Sequence, residues 1–393
     1  VHVRKIGEDI PAIKGAFDAS GPDLPSLLAV AAQFQNDSKA LTRISSQLAE
    51  GSGKDFKIKT RFDTDMQRGH IEQADFSANL LGIEINAAAK GKGIDFEKAT
   101  GTVDGLLNIV GQDPKRLLHS LGQEDLAKTL TNFTIEAGVE GNLSDLKLRP
   151  LKITAMVADV RLGKPVELKV SAQSARADFD DETLAVDDLE MVGLGLDLKA
   201  NVRAKNIKGN PEIEGDIDVP SFNLKNLLTT LKEPLPKTED PNALTSVGLK
   251  TDFSGDADNI RLEHLEITLD QTSIQGEVNV SDVDNPDIAF RISVGDINVD
   301  KYLEPETRSR IPPPTPEIVA VGAASALPIE TLRALKLDGV LSIDSMTFSG
   351  ITVNNIHLSA HANGGVIRLD PVRAELYAGN YAGTIDLDAT GKQ

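Results

Sequence analysis

Side chains able to do chemistry are plentiful in this 393-residue chain, but few are spaced to act together. His357 and His361 are four apart, which on a helix would set two imidazoles on one face for a metal ion. They lie where the sequence alternates like a strand, so a chance pair on a solvated strand or turn is the better reading. The stretches Asp178-Phe179-Asp180-Asp181-Glu182 and Asp282-Val283-Asp284-Asn285 have the composition of calcium loops. Both lack the EF-hand's spacing, with its central Gly and terminal Glu, and read as solvated turns. The chain has no cysteine, which excludes disulfides and thiolate metal sites. No G-x-S-x-G, Walker-type or dinucleotide Gly loop is present. With 60 acidic residues, paired carboxylates single out nothing, and the absence of Trp weakens a sugar-cleaving reading, which would call for stacking aromatics. We therefore expect no catalytic residue, no metal and no cofactor.

What must position anything else is set by charge and patterning. Against 41 basic residues the acidic ones leave a formal net charge of -19, which repels phosphates and anionic lipid head groups and argues against nucleic-acid binding. Hydrophobic residues make up 40% but aromatics only 4%, so large aromatic clusters are scarce and a sheet with one apolar face is the economical core. No run of about 18 apolar residues could span a membrane as a helix. Residues 1–9 lack a signal-peptide pattern. The chain begins inside a strand pattern and stops just after another, so it reads as an excised piece, with any targeting or anchor segment outside it.

One template recurs four times. Ile13, Gly15, Phe17, Asp18 and Ala19 lead to Asp23 and the pair Leu27/Leu28. Val103, Gly105, Leu107, Asn108 and Ile109 lead to Asp113 and Leu117/Leu118. Ile213, Gly215, Ile217, Asp218 and Val219 lead to Asn223 and Leu227/Leu228. A weaker copy runs Ile288, Phe290, Ile292, Val294, Asn298, Tyr302, Leu303, with Phe290 in place of the glycine. Repeats at long, uneven intervals indicate one structural unit stacked along an axis with variable insertions. Copies fall near 11–31, 101–121, 211–231 and 286–303.

Elsewhere period-two alternation dominates, as in Phe56, Ile58, Phe62; Ile83, Ile85, Ala87; Phe133, Ile135, Ala137, Val139; Leu194, Leu196, Leu198, Ala200, Val202; and Leu265, Ile267, Leu269. This predicts half-buried strands in a meandering antiparallel sheet. Helical signals fall inside the template, where Asp23, Asp113 and Asn223 can cap a helix and the leucines share one side of it. A further helix is expected over 38–49. From 304 to 326 the chain reads EPETRSRIPPPTPEIVAVGAASA, a linker or surface excursion separating 1–303 from a strand-rich segment over 327–393.

At that segment the sequence becomes recognisable. Leu327-Pro328-Ile329-Glu330-Thr331-Leu332-Arg333-Ala334-Leu335, then Leu337-Asp338-Gly339, then Gly365-x-Ile367-x-Leu369-Asp370-Pro371-Val372, Leu376-Tyr377 and Gly379-x-Tyr381-x-Gly383 resemble the AsmA family of Gram-negative envelope proteins. The fourth template copy, ending Asp300-Lys301-Tyr302-Leu303 ahead of the proline tract, also resembles that family's pattern. The likeness implies a mostly β fold, an elongated, strongly bent antiparallel sheet forming a taco-like repeating β-groove with a few short amphipathic helices. It implies a periplasmic body anchored in the inner membrane by an N-terminal helix absent from this chain, and no enzymatic activity. It further implies a bridge-like lipid transfer protein shielding phospholipid acyl chains between inner and outer membranes, with envelope proteins possible at its ends.

Roughly 20 strands about 4.8 Å apart would extend such a groove over on the order of 95 Å. Candidate lining residues are Ile217, Val219, Ile267, Leu269, Ile292, Val294, Ile343, Phe348, Leu369 and Leu376. The alternative is a structural or assembly factor of the envelope, in outer-membrane protein assembly or as an adhesin-like β-solenoid, whose apolar face is a closed, dry core.

Overall fold

Alternation with branched aliphatics on one parity and charged or amide side chains on the other makes strands, and strands account for nearly all regular structure here. The computed structural model describes residues 2–4, 12–26, 29, 56–65, 70–80, 82–95, 100–120, 122–142, 144–159, 162–283, 285–304 and 334–390. It divides into two units, Val1–Leu194 and Gly195–Gln393. The helix expected over 38–49, the leucines Leu27, Leu28 and Leu121, and nearly all of the 304–326 segment lie outside the described residues.

In unit 1 the strands are β1 (His2–Arg4), β2 (Ala12–Gly21), β3 (Phe56–Asp65), β4 (His70–Leu80), β5 (Ile83–Asp95), β6 (Thr100–Gly111), β7 (Leu130–Gly141), β8 (Asp145–Val157), β9 (Val166–Ala172), β10 (Ser174–Asp178) and β11 (Thr183–Gly193). They pair antiparallel in chain order from β1 to β8. Next, β9 and β10 act as one strand interrupted at Gln173, since both pair with β8 and both with β11. Two short helices, α1 (Lys115–Ser120) and α2 (Glu124–Thr129), join β6 to β7.

Unit 2 holds β12 (Leu196–Lys205), β13 (Glu212–Phe222), β14 (Val247–Gly255), β15 (Asn259–Leu269), β16 (Thr272–Ser281), β17 (Asp287–Asn298), β18 (Lys336–Phe348), β19 (Ile351–Asn363), β20 (Val366–Leu376) and β21 (Gly379–Asp388). Helix α3 (Leu224–Leu231) follows β13, and a 3-10 turn (Val299–Tyr302) follows β17. Each strand pairs antiparallel with the next, except that β17 and β18 are parallel. A tight turn can only reverse a strand, whereas the long stretch between Tyr302 and Lys336 lets β18 start at the edge where β17 starts. The expected run through Leu194 breaks: Leu194 (φ 55) and Gly195 (φ 80) are left-handed, and β12 begins at Leu196.

The four template copies therefore coincide with β2, β6, β13 and β17, each followed by a helical turn. Within each unit the two copies are four strands apart and run the same way, so both insertions emerge at one edge of the sheet. At the opposite edge the connections from β3 to β4, β5 to β6, β7 to β8, β12 to β13, β14 to β15 and β16 to β17 have six residues or fewer.

Registration explains the template glycine. Gly215 stands opposite Phe253, and a Cβ there would meet the Asn201 carbonyl at 2.1 Å and the Phe253 ring at 2.9 Å. The fourth copy carries Phe290 instead, and its partner on β18 is Gly339, where a Cβ would meet the Phe290 carbonyl at 2.4 Å and ring at 2.6 Å. The Phe–Gly pair is kept with its members exchanged. Gly21 with Phe56 and Gly111 with Phe133 repeat it in unit 1. A flat ring over a bare backbone fills what would otherwise be a gap. We expect Gly339→Val to cost about 1–3 kcal/mol through overpacking. This should lower the thermal unfolding midpoint, whereas Ser293→Val on the other face of β17 should change it little.

Candidate functional site

Following directly opposed residues from strand to strand gives continuous rows on one face. In unit 2 one row runs Val219, Leu249, Ile267, Ile274, Val294, Ile343, Ile356. Another runs Ile217, Thr251 and then, past a bulge, Leu265, Gly276, Ile292, Leu341, Leu358, Val372, Gly383. A third joins Phe253, Leu262, Val278, Phe290, Gly339, Ala360, Leu369 and Ile385. Unit 1 shows the same grammar, with Ala19, Ile58, Ala78, Ile85, Ile109, Ile135, Ile153 and Val170 in one row.

All ten candidate lining residues lie on this face. Ile217, Val219, Ile267, Leu269, Ile292, Val294, Ile343 and Leu369 belong to rows already traced or to the same parity of their strands, and Leu376 shares the parity of Val372. Phe348 is five residues from Ile343, which simple alternation would put on the other side. The pairing skips Gly295, Asp344 and Asn355, Asn355 has φ 48, and the inward positions on β19 step by three from Val353 to Ile356. A bulge across three neighbouring strands thus returns Phe348 to the apolar face.

In each unit this face is shielded sideways, and among the described residues nothing packs over it. The buried positions on it are mostly alanines, such as Ala78, Ala137, Ala200, Ala360 and Ala362, with a few larger residues including Val294 and Ile356. The large aliphatics between them are half-buried or exposed: Ile213 is 40% accessible, Ile260 41% and Ile385 38%. Among the described residues the one large side chain with essentially no accessible surface is Pro114, at the start of α1. A second packed layer would drive Leu and Ile of a sheet interior to near zero, with each worth about 1.5–3 kcal/mol on full burial.

The opposite face is a ladder of polar pairs. Arg291 bonds Glu277, His264 Nδ1 lies 2.7 Å from Asp252, and Arg368 Nη2 lies 3.0 Å from Asp370. His357 and His361 are on this face of β19 with separate partners, Ser342 and Asp338. Four strand residues hold them roughly 13 Å apart, too far to share an ion. Asp178 and Asp282 cap their own turns through backbone N–H groups of Asp180, Asp181 and Asn285.

At the helical edge the template's Asp/Asn acts as a cap in three of the four copies. Asp23 accepts from Ser26 N at 3.2 Å, Asn223 from Asn226 N at 2.9 Å and Asn298 from Asp300 N at 3.1 Å. The sequence Asp300-Lys301-Tyr302-Leu303 is the junction of this edge. Buried Asp300 accepts from Ser349 N and Gly350 N at 2.6 and 2.8 Å, fixing the β18–β19 turn. The carbonyls of Lys301 and Leu303 accept from Asp240 N and Glu239 N. Tyr302 donates its hydroxyl to Asp270 at 2.9 Å. Asp270, which the sequence reading passed over, also accepts from the N–H groups of Leu244, Thr245 and Ser246. Its only local signal is an aspartate at a left-handed position (φ 54) in a two-residue turn.

A model of the AsmA family matches residues 115–393. The chain belongs to the AsmA family. No curated protein and no solved structure matches it. The AsmA match spans all of unit 2 and the part of unit 1 from α1 onward, so the Asp300–Leu303 junction and most of the rows traced above are inside it. The 1–114 stretch before it carries the first template copy and most of the second, with the same strand-then-helix order. No helix of the described residues is long and apolar enough to cross a membrane.

The junction titrates. Burial alone would raise the Asp270 carboxyl, but the donors from Leu244, Tyr302, Ser246 and Thr245 together hold it below the ordinary carboxylate range. Burial, then the hydrogen bond to Asp270 and its charge, push the Tyr302 phenol up to about 12. A depressed folded-state pKa stabilises above the unfolded value and is lost as pH falls through the folded one. Asp270→Asn should therefore lower the unfolding free energy at pH 7 by about 1–3 kcal/mol, read as a lower urea midpoint, because a half-buried acceptor set is disrupted. Its deficit relative to the unmodified protein should shrink below about pH 4.

Proposed function

We propose that this AsmA-family chain is a non-enzymatic lipid carrier of the cell envelope, its apolar face shielding phospholipid acyl chains on their way between inner and outer membranes. The observation that carries the reading is the uncovered apolar face. Rows of Val, Ile, Leu and Phe cross as many as nine strands with their tips still accessible, beside a charged opposite face that keeps the sheet in water.

Each methylene withdrawn from water is worth about 0.8 kcal/mol. An acyl chain laid on these rows recovers what the half-exposed aliphatics and its own surface both lose to solvent. Ten strands about 4.8 Å apart give unit 2 a row length of roughly 43 Å. This favours a ligand that slides along the rows rather than one held in a closed pocket. The bend that would turn the sheet into a groove, the periplasmic setting, the inner-membrane anchor and partner proteins at the ends belong to the same proposal. Family membership supports an envelope role, and the exposed apolar tips favour lipid over a closed, dry core.

Purified protein should carry phospholipid detectable by mass spectrometry after denaturing extraction. Ile292→Glu or Leu369→Glu, which set a charge among the rows, should each reduce that load about tenfold or more while the far-ultraviolet dichroism of the sheet persists. Protein that is lipid-free, or variants that keep their load, would leave the structural-factor reading in place.

A further inference from the structure

One edge of unit 2 carries an open strand. Among the described residues β21 has a partner on one side only, β20, and eight of its ten residues are exposed. Which of its backbone groups are open can be read from the hairpin. Tyr377 (φ 48) and Ala378 (φ 62) form a two-residue turn closed by Leu376 opposite Gly379, and in such a turn the closing residues exchange both backbone hydrogen bonds. Alternating from there, Gly379, Tyr381 and Gly383 turn their N–H and C=O groups to β20. At the far end Ala389 N donates to Gly365 O, which puts Leu387 and Ile385 in the same class, the bulge between Leu369 and Val372 keeping the phase. The backbone groups of Asn380, Ala382, Thr384, Asp386 and Asp388 therefore face outward.

Edges of this length are normally blunted by Lys, Pro or a bulge of their own. β21 has no Lys, Arg or Pro. A row of donors and acceptors at two-residue spacing is satisfied by another extended strand, and this row is symmetric about Thr384. A second β21 laid antiparallel on that centre sets Thr384 against Thr384, Ala382 against Asp386 and Asn380 against Asp388 on the polar face. No like charges meet, and each Asp388 carboxylate faces an amide that can donate to it. On the apolar face Gly383 meets Ile385 and Tyr381 meets Leu387. Ile385 is 38% accessible and Tyr381 50%, so both have surface to bury. Ile385 over Gly383 repeats the pairing of a large side chain with bare backbone that Phe290 makes with Gly339.

We propose that the open edge of β21 binds the same edge of a second copy of this chain, in a two-fold antiparallel pair centred on Thr384. About ten backbone hydrogen bonds join the two sheets. The row that reaches Leu369 and Ile385 runs on into Gly383 and Val372 of the second copy, so the apolar face continues across the junction. The pairing does not depend on that face carrying lipid.

The test is sedimentation of the delipidated 393-residue chain, whose mass should rise from one chain to two with concentration. Thr384→Pro, which removes an N–H that β20 does not use, should leave a single chain at every concentration. Asn380→Lys, which faces Asp388 twice in the pair, should tighten it about two- to tenfold. Thr384→Cys should form an interchain disulfide on mild oxidation, the two Cα atoms lying about 5.5 Å apart, and Ser293→Cys on β17 should not. An unchanged thermal midpoint of the dilute variants confirms that the fold is intact. A single chain throughout, a dimer that survives Thr384→Pro or loosens with Asn380→Lys, or cross-linking at 384 no faster than at 293 would overturn the proposal. Lipid bound by a chain that never dimerises would overturn it while leaving the lipid reading in place.

Discussion

A sheet with one apolar face must bury that face against something, and in the described residues of this protein nothing of its own does so. Everything else follows from that constraint. The alternation of aliphatic and charged residues fixes which side of each strand is apolar, the registers align those sides into rows, and the Phe–Gly pairs let neighbouring strands close up without leaving holes. The small residues are protected by their neighbours. Most of the large ones keep their tips in solvent, and those tips are the free energy left over for a ligand.

The helical edge solves a different problem. Strand ends expose backbone donors and acceptors, and a sheet built of repeats exposes them at regular intervals. Each template copy meets this with a helical turn, capped by Asp23, Asn223 and Asn298 in three of the four. In unit 2 the turn after β17 becomes a knot in which Asp300, Tyr302 and the pair Lys301 and Leu303 hold three different loops. Those four residues are part of what makes the chain recognisable as AsmA-like, and their partners explain the choice of residue. A carboxylate suits two backbone N–H groups, and a phenol reaches Asp270 from a half-buried ring.

Much of this was legible in the sequence because it is local. Period-two patterning gave the strands, the Asp or Asn before a leucine pair gave the caps, and all ten proposed lining residues fall on one face. What was not legible depends on register between distant strands. Phe290 in the fourth copy looks like a broken repeat until Gly339 is found opposite it, 49 residues on. Phe348 has the wrong parity until a bulge shared by three strands is seen. Asp270 is one aspartate among many, distinguished only by the four donors that converge on it. The parallel pairing of β17 with β18 is likewise invisible to alternation, which does not encode strand direction.

The central claim is that the apolar face meets acyl chains. The chain contains no cysteine, so a single nitroxide can be placed at Ile292→Cys on the apolar face or at Ser293→Cys on the charged one without background. Phospholipid labelled at mid-chain with a second nitroxide should broaden the spectrum at position 292 and leave that at 293 unchanged. Equal broadening at both positions, or none at 292, would contradict the claim.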